Sequence, residues 1–355
     1  MKKIICLVES LGSGGAERQM MGLAVLLKQE GYDVEVWYYA PNHFYCKNLE
    51  NEGVKFRYIL EAQNKYKRIG VIRNELLKAK PDTVITYLDT PCIIGCITKI
   101  TGGKFNLIVS ERNTTQHLGL KDRIKFFLYK FADHIVPNSY SQARFIEQNY
   151  PNLKDKIKCI TNFVDTDKFK PCENKQANDK VRILTVARIM PQKNVINYIQ
   201  AIKRVATKGY DFEVCWYGNS ISEEYYEECK QEITKQGVTD IFKFYPATTN
   251  IIEEYHKSDI FCLPSIYEGF PNVVCEAMCC GLPIVCSNVC DNPDIVTSEN
   301  GILFNPKNCD DMADKINQLL NMPECKKQTI SINNRNRAIT IFSKKRFTNS
   351  YIDII

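Results

Sequence analysis

The chain has 355 residues, of which 44% are hydrophobic and 25% charged, and carries a net charge of +6. That length exceeds one ordinary core and suits two domains of about 150 to 180 residues each. The composition is that of a globular protein, without repeats or low-complexity tracts, and no run approaches the ~18 apolar residues needed to cross a bilayer. The opening MKKIICLVES turns acidic too early for a signal peptide, so a cytosolic location is expected. Sixteen cysteines are present, without the paired spacing of a zinc site. Most fall in apolar runs such as IFCLP and PIVCS and are expected to be reduced packing residues.

Residues 3–8 read as a buried parallel strand. A glycine turn, LGSGGAERQ, leads from it into a helix from about 15 to 30, and Gly12, Gly14 and Gly15 would let backbone amides approach an anion or a sugar. Further apolar runs at 33–38, 82–87, 106–110, 133–137 and 157–160 are separated by helix-length segments, the βαβ pattern of a parallel sheet covered on both faces.

Two segments in this half, NKYKRIGVIR (64–73) and KDRIKFFLYKF (121–131), mix basic and bulky apolar residues. Residues 1–165 hold 24 basic against 17 acidic side chains, net +7, whereas residues 166–355 hold 23 against 24, net −1. The basic residues are therefore read as attracted to an anionic membrane surface. Ile124, Phe127, Leu128 and Phe131 recur at helical spacing and are read as a core face. The loop after 106–110 carries Glu111, Arg112 and His117.

Periodicity is lost over 162–180, where a domain boundary is expected. The alternation restarts at 181–187 and continues at 212–217, 241–245, 259–263, 283–286 and 301–304. After the first of these strands, VARIMPQKN sets Arg188 and Lys193 five apart on a loop entering a helix, and two fixed cations suit a diphosphate. Gly218 ends the strand in VCWYGNS. Ile252 and Tyr255 lie on a following helix.

Residues 265–285, SIYEGFPNVVCEAMCCGLPIV, place Glu268 and Glu276 eight positions apart around a Gly-Phe-Pro turn. Pro271 fits the first turn of a helix, where its missing N–H is no loss. Glu276 would then sit about one turn in, and the N–H groups of Asn272, Val273 and Val274 would point out of the helix start toward an anionic ligand. The chain ends in SKKRFTNSYIDII, read as a helix.

The stretch from Glu268 to Val285 resembles the E-G-F-P-x-x-x-x-E-A-M-x-x-G-x-P-V signature of the family 4 retaining glycosyltransferases, with Ile284 inserted before the closing valine. VARIMPQKN resembles that family's V-G-R-x-x-x-x-K-N/G motif, with Ala187 where glycine is common. NFVDTDKF resembles its N-G-V-D-x-x-x-F interdomain segment, with Phe163 in place of the glycine.

The resemblance implies an α/β chain of GT-B fold, with two Rossmann-like parallel-sheet domains facing across a cleft. Residues 1–165 would be the acceptor side and 166–340 the nucleotide-sugar side, with 341–355 a terminal helix packing back on the first domain. It implies catalytic roles for Arg188, Lys193 and Glu268. Donor binding would fall to Gly14, Gly15, Gly218, Phe270, Pro271, Asn272, Val273 and Glu276, with Glu268 at the transferred sugar and Glu276 at the ribose. Glu17, Arg112 and His117 are candidates for the acceptor side. Many relatives carry a histidine where Arg112 falls, although some read S-E-R-N as here.

The expected reaction is transfer of a sugar, with retention, from a nucleoside diphosphate donor, a UDP-sugar being favoured, to a lipid-linked or saccharide acceptor. Its setting would be bacterial surface polysaccharide or lipopolysaccharide assembly at the anionic inner leaflet. No Asp-x-Asp box lies in these motifs, so no metal or other cofactor is expected, and no nucleic-acid partner. Alternatives are an epimerase or sucrose-type synthase of the same fold, or a noncatalytic nucleotide-sugar-binding protein. A NAD-dependent enzyme would rest on the Gly12 to Gly15 turn, which has Glu17 where a dinucleotide fingerprint needs its third glycine.

Overall fold

The computed structural model describes residues 1–115, 118–175 and 178–355. They form two compact units, Met1–Phe163 with Lys344–Ile355 and Val164–Ser343. The expected boundaries at 165/166 and 340/341 compare with divisions after Phe163 and Ser343.

The first unit holds a parallel sheet of β1 (Lys3–Leu7), β2 (Asp33–Tyr38), β3 (Lys55–Tyr58), β4 (Thr83–Tyr87), β5 (Asn106–Glu111) and β6 (His134–Pro137), in the order β3-β2-β1-β4-β5-β6. Helices cover both faces, so the central strands are buried throughout: every residue of β4 is enclosed, as are Ile4 to Leu7 of β1. This burial on two sides is why these strands read as continuous apolar runs.

Two strand expectations need correction. β3, KFRY, was not foreseen, because as an edge strand it exposes Lys55 and Arg57 and lacks an apolar run. Such charges on an edge discourage pairing with another chain. Residues 157–160 form no strand of their own. They lie along the outer edge of β6 through two backbone bonds, Lys158 N–H to the Ile135 carbonyl at 2.9 Å and Ile160 N–H to Pro137 at 3.1 Å.

The helix Leu120–Tyr129 corrects a third expectation. Its inward face is Lys125, Phe126 and Tyr129; of the four residues read as a core face, Leu128 is half-buried against the core, whereas Ile124, Phe127 and Phe131 are exposed. Lys125 is held inside by Glu111 Oε2 at 2.8 Å and Asp89 Oδ1 at 3.0 Å, and Tyr129 donates to Glu111. Burial raises the Glu111 carboxyl above the usual range even with Lys125 against it.

The terminal helix Lys344–Ile352 completes the first unit. Phe347 and Tyr351 enter the core beside β1 and β2, and Tyr351 OH lies 2.9 Å from Tyr87 OH.

The second unit repeats the plan with β7 (Val181–Val186), β8 (Phe212–Tyr217), β9 (Phe242–Tyr245), β10 (Ile260–Leu263), β11 (Ile284–Ser287) and β12 (Gly301–Phe304), ordered β12-β11-β10-β7-β8-β9. Helices Val195–Ala206 and Cys309–Leu320 pack on one face around Trp216. Helices Asn272–Cys279 and Glu324–Phe342 pack on the other. Ten of the sixteen thiols are buried in these cores and that of the first unit. No helix among the described residues is long and apolar enough to cross a membrane.

Candidate functional site

In an open parallel sheet, ligands settle at the carboxyl ends of the strands where the strand order reverses. In the second unit that point lies between β7 and β10, and the loops after these two strands carry the motif residues. The β7 loop runs through Ala187 and Arg188 into the turn Pro191–Lys193, then Asn194 enters the next helix in the left-handed region at φ +61°. Asparagine tolerates that conformation better than other bulky residues. Its side chain also donates to the Pro306 carbonyl at 2.8 Å, which fixes the end of the loop.

The two loops are stitched together. Ile266 N–H donates to the Gln192 carbonyl and the Gln192 amide donates to the Tyr267 carbonyl, both at 2.9 Å. This register brings Lys193 Nζ to 2.6 Å from Glu268 Oε1. Ser265 Oγ donates to the same oxygen, and Glu268 N–H points at Cys290 Sγ, 3.4 Å away. Both members of the pair are largely removed from water, with side chains 16% and 9% exposed.

Arg188 differs in kind. It is exposed, and among the described residues no carboxylate or carbonyl pairs with it. Gly218, at the end of β8, explains its placement: a Cβ there would meet the Ala187 carbonyl oxygen at 2.0 Å, and the residue has φ +157°. Only glycine allows the β8 end to come this close to the Arg188 loop.

Arg188, Lys193, Glu268 and the turn 270–273 line a cavity of about 430 Å³. Its size suits a small ligand. Phe270 is anchored from behind by Phe342, ring centroids 5.9 Å apart.

The helix start departs from expectation. Pro271 is the residue before the helix, with ψ 70°, and the helix begins at Asn272. Asn272 N–H already donates to the Phe270 carbonyl and Val274 N–H to Pro271, at 2.9 and 3.0 Å. Of the three amides expected to face a ligand, two are therefore engaged by the turn itself. Glu276 is buried, and Tyr255 OH donates to its Oε2 at 3.1 Å. Neither Glu276 nor Gly218 lines the cavity.

The remaining predicted residues belong to the first unit. Gly14 caps the helix Gly15–Gln29, and Glu17 in its first turn accepts from Ser10 Oγ at 3.3 Å. Arg112 is buried: its guanidinium stacks 3.7 Å from the Tyr87 ring centre and donates to Asn162 at 2.9 Å and to Tyr351 OH at 2.8 Å. These contacts tie the terminal helix to the sheet. His117 lies outside the described residues.

Sequence reasoning missed Ser265, Gln192 and Cys290 as supports of the pair. Ser265 and Gln192 stand three positions before Glu268 and next to Lys193, a usable signal for loop side chains that support their neighbours. Cys290 comes from another loop and left none.

A guanidinium without a partner among the described residues, set beside a desolvated ion pair, makes a site for an anion. Arg188 offers a planar donor fork, and Lys193 has two N–H bonds left after meeting Glu268.

The family described as "Glycosyltransferase Family 4" matches residues 13–168, and that described as "Glycosyl transferases group 1" matches residues 166–337. The chain is 27% identical, over 81% of each sequence, to the N-acetylgalactosamine-N,N'-diacetylbacillosaminyl-diphospho-undecaprenol 4-alpha-N-acetylgalactosaminyltransferase of Campylobacter jejuni. It is 26% identical, over 93% of this chain and 92% of the relative, to the GalNAc-alpha-(1->4)-GalNAc-alpha-(1->3)-diNAcBac-PP-undecaprenol alpha-1,4-N-acetyl-D-galactosaminyltransferase of the same organism. Its fold is similar to that of Anabaena Alr3699/HepE in complex with UDP, with a TM-score of 0.88 at 20% identity over 99% of both chains. The chain belongs to the family 4 glycosyltransferases of GT-B fold.

Proposed function

We propose that this chain transfers a hexosyl group, with retention, from a UDP-sugar to a lipid-linked or saccharide acceptor at the cytosolic face of a membrane. The observation that carries the reading is the exposed Arg188 beside the Lys193–Glu268 pair, 2.6 Å apart, at the strand-order reversal. The Anabaena structure holds UDP, and the names of both Campylobacter relatives give undecaprenyl-diphosphate-linked acceptors.

In this mechanism Arg188 and Lys193 hold the donor diphosphate. As the bond from the anomeric carbon to the diphosphate oxygen breaks, negative charge grows on that oxygen and is met by the two cations, of which Lys193 is already held in place by Glu268. Glu268 keeps Lys193 oriented and faces the sugar ring as it becomes positive. The acceptor oxygen bonds to the same face of the anomeric carbon and its proton passes to the leaving phosphate, so no side-chain base and no metal is required. Glu276, oriented by Tyr255, binds the ribose. Gly218 holds the Arg188 loop, while Phe270, Pro271, Asn272 and Val273 shape the donor pocket. In the first unit Glu17 serves the acceptor and Arg112 acts as support.

The test is turnover of UDP-, GDP- and ADP-sugars by the full chain, with the anomeric configuration of the product read by NMR. Release of UDP with an unchanged anomer supports the proposal. Inversion, or a preference for another nucleotide, overturns that part of it.

A further inference from the structure

We propose that the helix Leu120–Tyr129 docks this chain on an anionic bilayer, its apolar stripe entering the boundary between headgroups and acyl chains. The inference deepens the membrane part of the reading above and rests on it only for its setting, since its test uses no sugar nucleotide.

Leu120, Ile124, Phe127 and Phe131 are 75%, 51%, 57% and 38% exposed. At 3.6 residues per turn the first three fall within a wedge of about 60°, and Phe131 follows in the turn just past the helix end. Lys121 borders this stripe on one side and Arg123 and Lys130 on the other, and all three cations are exposed. Lys130 Nζ lies 3.6 Å from the Phe127 ring centre, so cation and ring share one edge. The helix's one acid, Asp122, is turned inward, where it accepts from Gly119 N–H at 3.1 Å and lies 3.8 Å from Lys125. An apolar centre with basic shoulders and no outward acid matches a surface of lipid phosphates over hydrocarbon.

The helix cannot turn to hide the stripe. Its opposite face is pinned by the buried Lys125 with Glu111 and Asp89, and by Phe126 packed on Tyr150 with ring centroids 4.6 Å apart. Rotation would strip a buried ion pair of its partners, which is costly. The segment carrying exposed Leu60, Tyr66 and Ile69, with exposed Lys65 and Lys67, shares the apolar cluster on which this helix packs and adds a second patch of the same character. A second copy of the chain fits less well, because a symmetric contact sets the same basic shoulders against each other.

The test is a Phe127→Trp variant of the full chain. The native tryptophans, Trp37 and Trp216, are buried, so only the new one can meet lipid. Its emission is expected to shift blue and to be quenched by brominated lipid in mixed phosphatidylglycerol–phosphatidylcholine vesicles, and not in pure phosphatidylcholine. Ile124→Glu/Phe127→Glu should cut flotation with the anionic vesicles by about tenfold or more, and Lys121→Ala/Lys130→Ala should shift it to lower salt, with unchanged melting curves and UDP affinity. Absence of quenching in the Phe127→Trp chain, or equal flotation of the Glu variant, overturns the proposal. Sedimentation showing a dimer that the Glu variant abolishes would assign the face to a second copy instead.

Discussion

The two units share one strand order yet use buried charge for opposite ends. Counted by unit, the first carries 27 basic against 17 acidic side chains and the second 20 against 24. At the end of β5 in the first unit, Glu111 and Arg112 are buried and each holds a helix: one fixes the helix Leu120–Tyr129 through Lys125, the other fixes the terminal helix through Tyr351. At the end of β7 in the second unit, Lys193 meets Glu268 while Arg188 stays free of any such partner among the described residues. The contrast teaches that buried ions at strand ends do not by themselves mark a site. The distinguishing feature is a charge left unpaired beside a cavity.

That contrast can be broken by substitution. The largest effect is expected from Lys193→Ala, which should lower kcat by about 100-fold or more, roughly 3 kcal/mol for one preorganised donor. Steady-state turnover on one donor, with circular dichroism confirming the fold, checks it; near-normal turnover would move the chemistry elsewhere. Arg112→Ala should act on stability instead. It removes two hydrogen bonds and a stacked cation inside the first unit, and urea unfolding should show a loss of about 2–4 kcal/mol with UDP affinity intact. A stable Arg112→Ala chain with lost transfer would make Arg112 an acceptor group.

Gly218→Ala sharpens the comparison further, because it touches no ligand. The added Cβ must push the Ala187 carbonyl away, and a loss of about 1–3 kcal/mol is expected together with weaker UDP binding as Arg188 shifts. Unchanged melting would show that the close approach is not needed. The smallest effect is expected from Tyr255→Phe, which frees Glu276 from one hydrogen bond, worth about 1 kcal/mol in UDP affinity by calorimetry.

These residues also show how far the sequence could be read. Two-sided burial made the central strands legible, and β3 escaped because Lys55 and Arg57 face water at an edge. The motif loops were visible as spacings, since Arg188, Lys193 and Glu268 sit on short segments between clear strands. Their stitching through Gln192 and Ser265 was not, because it depends on the register between two loops 75 residues apart. The inward face of the helix Leu120–Tyr129 was misread, apart from Leu128, for a physical reason: a lysine is expected outside unless its partner is known, and Glu111 is supplied by β5. At Asn272 the turn after Pro271 consumed amides that an ideal helix start would leave open.

The most direct test of the central claim is calorimetric titration of UDP into the wild-type chain and its Arg188→Ala variant. Arg188 is exposed and has no partner among the described residues. Its removal should therefore leave the melting curve unchanged while weakening UDP binding by tenfold or more, about 1.4 kcal/mol or more for a lost charge-assisted contact. Equal UDP affinity in the two proteins would contradict the account.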